Sequence, residues 1–192
     1  MKRTSRLAAI AGLVAGATVA QATVTIYFST LYTGTTPVGA IPWATLTIDN
    51  GGAAGDVDFL LTTDLAAPQF LSNLYLNTVG DPAGIAMTAS SGAFSLTAGE
   101  DAISNVAQRF DVKIGFPTAA GSGRIDNTNS ASWTLHQTGL TENSFEAFST
   151  PTDGADPIEA LLHVQGIPDG TGEGDSSGKI APGPVPEPDR AR

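Results

Sequence analysis

Regular alternation of apolar and polar residues is the feature that most constrains the fold of this chain. In the clearest run, residues 110–116, Phe, Val, Ile and Phe alternate with Asp, Lys and Gly. Side chains of a strand point to its two faces in turn, so such a run has one buried and one solvated face. Shorter runs of the same kind lie at residues 24–29, 44–48, 57–61, 131–136 and 162–165.

Turn residues separate these runs, as at residues 50–52, 80–82 and 121–123, and no long helical pattern occurs. Short strands with Gly, Pro and Asn turns predict an all-β fold, a single antiparallel β-sandwich of the jelly-roll-like kind. Thr141 is a candidate cap for a short turn that would place Phe145 and Phe148 on one side. The residues expected to line one common core are Phe110, Val112, Ile114, Phe116, Trp133 and Leu135.

The N-terminal residues have the order of an export signal. Lys2, Arg3 and Arg6 precede an uncharged apolar stretch at residues 7–19, and Ala20-Gln21-Ala22 fits a small-x-small cleavage site. The stretch is short and rich in Ala and Gly for a spanning helix, which needs roughly 20 apolar residues. We expect cleavage after Ala22, no membrane span in the mature chain, and a secreted or cell-surface location. The alternative interpretation is a buried amphipathic helix.

The domain organisation follows from composition along the chain. Residues 1–22 form the signal peptide and residues 23–165 the β-sandwich domain. Residues 166–192 form a tail rich in Gly, Pro and acid that is predicted to be disordered. Acids alternate with glycines at residues 169–175, as in a calcium loop, but without the EF-hand register, so a flexible linker is the favoured interpretation.

Charge and cysteine content exclude several classes of function. The chain carries 19 Asp and Glu against 9 Lys and Arg, and it has no Cys. An acidic chain without a basic stripe is not expected to bind nucleic acid. Without Cys, the core must hold together without disulfides, and thiol nucleophiles and Cys-ligated zinc are excluded.

No residue pattern predicts catalysis, a metal site or another cofactor. His136 and His163 fall on the faces opposite the core residues of their strands, where solvated histidines are expected. Ser176 is the centre of a Gly-x-Ser-x-Gly match that lacks the flanking strand and helix of a nucleophile elbow. The carboxylate pairs at residues 56 and 58 and at residues 100 and 101 are sequence neighbours, which rarely face each other as glycosidase carboxylates must.

Two aromatic residues are candidates for sugar stacking. Trp43 lies on the same face of its run as Thr45 and Thr47, which is the wet face if Leu46 is buried. Tyr75 is the second candidate. A core or hairpin-edge position is the alternative for Trp43, and the sequence leaves both open.

Ordered motifs in the C-terminal half resemble a known family. They are residues 110–118, 132–135, 140–145 and 162–167, followed by a Gly- and acid-rich stretch and by Val185, Pro186, Glu187 and Pro188. This set resembles exported bacterial PEP-CTERM proteins. The resemblance implies export by a signal peptide, retention by a C-terminal apolar helix, processing by an exosortase, and association with biofilm and exopolysaccharide.

The sequence departs from that family after Pro188, where only Asp189-Arg190-Ala191-Arg192 follow and no apolar helix occurs. We therefore expect free secretion rather than exosortase processing. The function predicted from the sequence is that of a non-catalytic exported protein of the cell surface or the exopolysaccharide matrix. The alternative is an extracellular carbohydrate-binding module that uses Trp43 or Tyr75 as a stacking face.

The export signal yields a direct test. In a bacterial host that secretes the protein, N-terminal sequencing or intact mass should place the first mature residue at Thr23, because the small-x-small pattern ends at Ala22. An uncut chain that accumulates in the cytoplasm would contradict the signal-peptide interpretation.

Overall fold

The computed structural model describes residues 23–168 and 175–183. These residues form strands and one short 3₁₀ helix, and none of their helices is long and apolar enough to cross a membrane. The elements are β1 Val24–Gly34, β2 Gly39–Asn50, β3 Asp56–Leu65, β4 Phe70–Leu76, β5 Ala86–Ser90, β6 Ser95–Asn105, β7 Gln108–Gly115, β8 Ala131–His136, the 3₁₀ helix Glu142–Phe145, β9 Thr150–Pro151, β10 Ala160–Pro168 and β11 Asp175–Pro182.

All eleven strands belong to one antiparallel sheet. Its order is β5-β8-β3-β2-β1-β11-β10-β4-β7-β6, and β9 pairs with β7 beside this path. The predicted antiparallel all-β class is therefore confirmed. The division into the two layers of a sandwich stays a prediction, because the hydrogen bonds of the described strands form one continuous path.

One face of the sheet packs into a single large apolar cluster. Side chains from strands near both ends of the sheet contribute to it. The Trp133 ring of β8 stacks on Phe59 of β3 with ring centroids 5.1 Å apart, and it also contacts Phe116, just after β7, at 5.9 Å. Since β8 and β7 lie near opposite ends of the strand order, these contacts require the sheet to curl so that its two halves meet.

A second, smaller apolar cluster lies apart from the first and consists of Tyr75, Phe110, Leu161 and Ala181. The prediction of one common core is confirmed for Val112, Ile114, Phe116, Trp133 and Leu135, but it is wrong for Phe110. The ladder between β6 and β7 shifts register between Ala98 and Ile103, and Phe110 lies beyond this shift. A register shift breaks the strict alternation on which the prediction depended.

The C-terminal segment corrects the predicted domain boundary. A disordered tail was expected from residue 166, yet β10 continues to Pro168 and residues 175–182 form β11 between β1 and β10. Ile180 of β11 is fully buried, and it pairs with Leu31 on one side and Leu162 on the other. The prediction depended on the Gly, Pro and acid content of the whole tail. It therefore missed one short strand, β11, whose Ile180 is buried in the centre of the sheet.

The remaining terminal predictions fall outside the described residues. These are the signal peptide at residues 1–22, the part of the acidic stretch at residues 169–174, and the Val-Pro-Glu-Pro motif at residues 185–188.

The position of β11 predicts a large stability difference between two substitutions in this strand. Ile180→Ala should lower the free energy of unfolding by about 2–5 kcal/mol, because it leaves a cavity at a fully buried site. Ser177→Ala, at an exposed position of the same strand, should change it by less than about 0.5 kcal/mol. Equal midpoints for the two variants in urea unfolding would contradict the placement of β11 in the sheet.

Candidate functional site

The structure corrects the prediction that Trp43 and Tyr75 form a sugar-stacking face. Trp43 is 5% exposed and Tyr75 is 6% exposed, and they belong to different apolar clusters. Trp43 enters the main core next to Ala44 because the ladder between β2 and β3 shifts register between Gly39 and Ala44. Tyr75 packs against Phe110 with ring centroids 5.4 Å apart. Neither ring offers a face to a ligand.

Phe148 is the aromatic side chain that faces solvent. It is 65% exposed, in the segment between the 3₁₀ helix and β9, and it lines a cleft of about 490 Å³. The other residues that line the cleft are mostly polar: Asn77, Thr78, Gly80, Asp81, Glu100, Asp101, Asp111 and Thr150. An apolar ring therefore stands at the edge of a strongly polar concave surface.

Asp111 of β7 links two of the chain segments that line the cleft. Its Oδ2 accepts a hydrogen bond from the backbone N–H of Thr78 at 3.0 Å, and its Oδ1 accepts one from the N–H of Asp101 at 2.8 Å. Asp101 has a φ of 48°, a left-handed conformation that non-glycine residues rarely adopt. The buried carboxylate thus fixes a strained turn of β6 against the end of β4, and hydrogen bonds to an ionised acceptor are the stronger kind.

Two buried polar atoms of the cleft residues have no hydrogen-bond partner in the described structure. They are Nδ2 of Asn77 and Oγ1 of Thr78. Buried donors and acceptors are normally satisfied, and an unpaired one costs about 1–3 kcal/mol. Two such atoms lie on adjacent residues that line the same cleft as the exposed ring of Phe148.

The charge of the cleft is predominantly negative. Asp81, Glu100, Asp101 and Asp111 contribute carboxyl groups, and within the described part of the chain none of them forms a salt bridge. The guanidinium of Arg109 lies at one edge, with Nη1 3.4 Å from the carbonyl oxygen of Asp101. No group of three or more His, Asp and Glu in the described ranges is arranged to hold a metal ion.

The two histidines lie on separate strands and form no joint site. His136 of β8 is paired with Asp56 of β3, with Nδ1 2.6 Å from Oδ1. Asp58, on the same face of β3, accepts a hydrogen bond from the hydroxyl of Thr134. Both carboxylates thus contact side chains of the neighbouring strand β8.

His163 of β10 is half-buried and its Nδ1 lies 3.0 Å from the hydroxyl of Ser72. Burial lowers the pKa of His163 below its usual value of 6.5, and repulsion by Lys179 and then Lys113 lowers that pKa further. The imidazole is therefore biased toward its neutral form by its surroundings.

Ser176 lies in β11, where it pairs with Ile167 of β10. A nucleophile elbow places its serine on a sharp turn from a strand into a helix. Ser176 instead takes part in a strand ladder, next to a register shift between Val164 and Ile167.

Sequence reasoning missed Phe148 and Asn77 as site residues. It predicted a short turn after Thr141, and the 3₁₀ helix Glu142–Phe145 confirms that turn. It also predicted that Phe145 and Phe148 share one side, which is wrong: Phe145 is fully buried, whereas Phe148 is exposed. An aromatic residue in an acidic and polar loop segment was the available signal, but exposure could not be predicted from residue type.

Comparison with protein-family models, with curated proteins and with solved structures found no match to this chain. The resemblance to PEP-CTERM proteins therefore stays a prediction from the motifs.

The environment of His163 predicts a pH-dependent stability. Because its pKa is lowered in the folded state, the unfolded chain takes up the proton first as the pH falls. The free energy of unfolding should therefore be highest above about pH 6.5 and decrease as the pH falls below it. The variant His163→Gln should show a shallower decrease between pH 7 and pH 5 in urea unfolding. Identical slopes for the two proteins would contradict the predicted contribution of this imidazole.

Proposed function

We propose that this protein is a non-catalytic exported protein of the cell surface or exopolysaccharide matrix, and that it binds polysaccharide at the cleft beside Phe148. The single observation that carries this proposal is an aromatic ring, 65% exposed, at the edge of a polar cleft. This site replaces the pair Trp43 and Tyr75 as the basis of a carbohydrate-binding function.

The ring supports sugar binding because of the shape of a pyranose. One face of many sugar rings presents C–H groups, and these pack against the flat face of an aromatic side chain. The edge of the sugar carries hydroxyl groups, which need donors and acceptors. Phe148 provides the flat apolar face, and the side chains of Asp81, Glu100 and Thr150 provide polar groups along the same cleft.

The carboxylates of the cleft indicate which sugars fit. Carboxylate oxygens accept hydrogen bonds from hydroxyl groups, and they repel other anions. Asp81, Glu100 and Asp101 therefore favour neutral sugars, or amino sugars that carry a positive charge, over uronic acids and phosphates.

The same carboxylates support a binding role rather than hydrolysis. Glycosidases place two carboxyl groups on either side of the scissile bond. Glu100 and Asp101 are sequence neighbours on β6, and both oxygens of Asp111 accept backbone N–H groups. The proposal also includes export through the N-terminal signal and a place in the exopolysaccharide layer. Both of these parts are supported by the sequence motifs.

Substitution of Phe148 tests the proposal. Binding of neutral and amino-sugar oligosaccharides would be measured by calorimetry. Phe148→Ala should weaken binding at least about ten-fold, equal to about 1.4 kcal/mol, because the stacking face is lost. Phe148→Trp should retain binding, since it keeps an aromatic face. Ile41→Ala, at a site that is equally exposed at 65% and does not line the cleft, is the matched control.

Two results would contradict the proposal. One is equal affinity of the Phe148→Ala and Ile41→Ala proteins for every oligosaccharide that binds. The other is the release of new reducing ends during incubation with those oligosaccharides, which would indicate a hydrolase.

A further inference from the structure

The sheet carries a basic surface in a chain whose formal net charge is −10. The described residues include only four Lys and Arg: Arg109, Lys113, Arg124 and Lys179. Lys113 and Lys179 both lie close enough to His163 to repel its protonated form. We call the side chains of Lys113, His163 and Lys179 the basic face.

Strand register explains why these residues are neighbours. His163 of β10 pairs with Lys179 of β11 on one side and with Asn73 of β4 on the other. Lys113 of β7 pairs with Tyr75, two residues along β4 from Asn73. The basic face therefore extends across the adjacent strands β11, β10, β4 and β7.

The residues paired with the two lysines are uncharged. Thr33 of β1 pairs with Lys179, and Thr97 of β6 pairs with Lys113. Asp111 lies two residues before Lys113 on β7, but its two oxygens accept backbone N–H groups at the cleft. No carboxylate of the described residues forms a salt bridge with either lysine. Among the residues that the structure describes, the basic face thus has no salt-bridge partner.

A groove of about 430 Å³, lined by both polar and apolar residues, adjoins the basic face. Ser72, whose hydroxyl contacts His163, lines it together with Asn73 and Gln165. Further hydroxyl groups come from Ser95, Thr118 and Ser122. The surface next to the positive charges therefore offers hydroxyl and amide groups, which suit the hydroxyl-rich edges of a sugar.

From this juxtaposition we infer that the basic face and its groove bind a carboxylate-bearing polysaccharide, at a site separate from the Phe148 cleft. Three strand spacings of about 4.8 Å separate β11 from β7, so the lysine backbones lie about 14 Å apart across the strands, and they are also offset by two residues along β4. At this separation, one small anion contacts two lysine ammonium groups less directly than a polymer does. Successive carboxylates along a polymer can each contact one ammonium group. Because this site has the opposite charge from the cleft, its ligand is an acidic polymer rather than a neutral one.

The inference is tested with polygalacturonate as the probe, measured by calorimetry at low salt. The double variant Lys113→Gln/Lys179→Gln should bind at least about ten-fold more weakly than the unmodified protein. Arg109→Gln, which removes one cation away from the basic face, should bind as the unmodified protein does. Binding by the unmodified protein should also weaken strongly in 0.5 M NaCl, a measurement that needs no variant.

A spectroscopic readout accompanies the binding measurement. Bound carboxylates would offset the repulsion from Lys113 and Lys179, so polygalacturonate should raise the pKa of His163 in an NMR titration. Phe148→Ala should leave both readouts unchanged, so failure at the cleft and failure at the basic face can be distinguished.

Several results would overturn the inference. They are unchanged polygalacturonate affinity in the double variant, no salt dependence, equal binding of neutral dextran at this face, or full displacement by millimolar inorganic phosphate. Equal affinity for single-stranded DNA would also overturn it, because the surface would then be a general polyanion site rather than a sugar site.

Discussion

The packing of aromatic rings around Trp133 is the interaction on which the rest of the structure depends. Trp133 and Phe59 stack in one half of the sheet, and Phe116 and Phe94 meet them from the other half. The chain has no Cys, so no disulfide can hold the halves together. Removal of apolar surface from water at this contact is what keeps a single long sheet curled.

The fold class was predictable from the sequence because its signal is local. The alternation in β7 and β8 correctly placed Val112, Ile114 and Leu135 in the core. Phe110 was placed wrongly, and for Trp43 the sequence left a wet-face and a core position open. Each lies next to a register shift, in the β6–β7 and β2–β3 ladders respectively. Such shifts depend on contacts with a neighbouring strand, which a pattern along one strand does not contain.

The candidate site was much less predictable than the fold. The alternation in β7 predicts that Asp111 lies on the solvated face. In the structure Asp111 is buried, and its carboxylate accepts hydrogen bonds from two backbone N–H groups, one in β6 and one just after β4. Asn77 and Phe148 meet at the cleft only after four separate segments have been brought together. The candidate site is built from loops and strand ends, whose mutual positions are determined by the whole sheet.

The pairing of β1 with β11 has a consequence for the folding rate. Phe28 pairs with Pro182, so the middle of the sheet joins residues from nearly opposite ends of the described chain. Contacts of such high sequence separation slow folding, because a long loop must close before its entropy cost is offset. Until residues 175–182 leave the ribosome, the nascent chain lacks the strand that links β1 to β10. The central part of the sheet is therefore completed only after nearly all of the described chain has been synthesised.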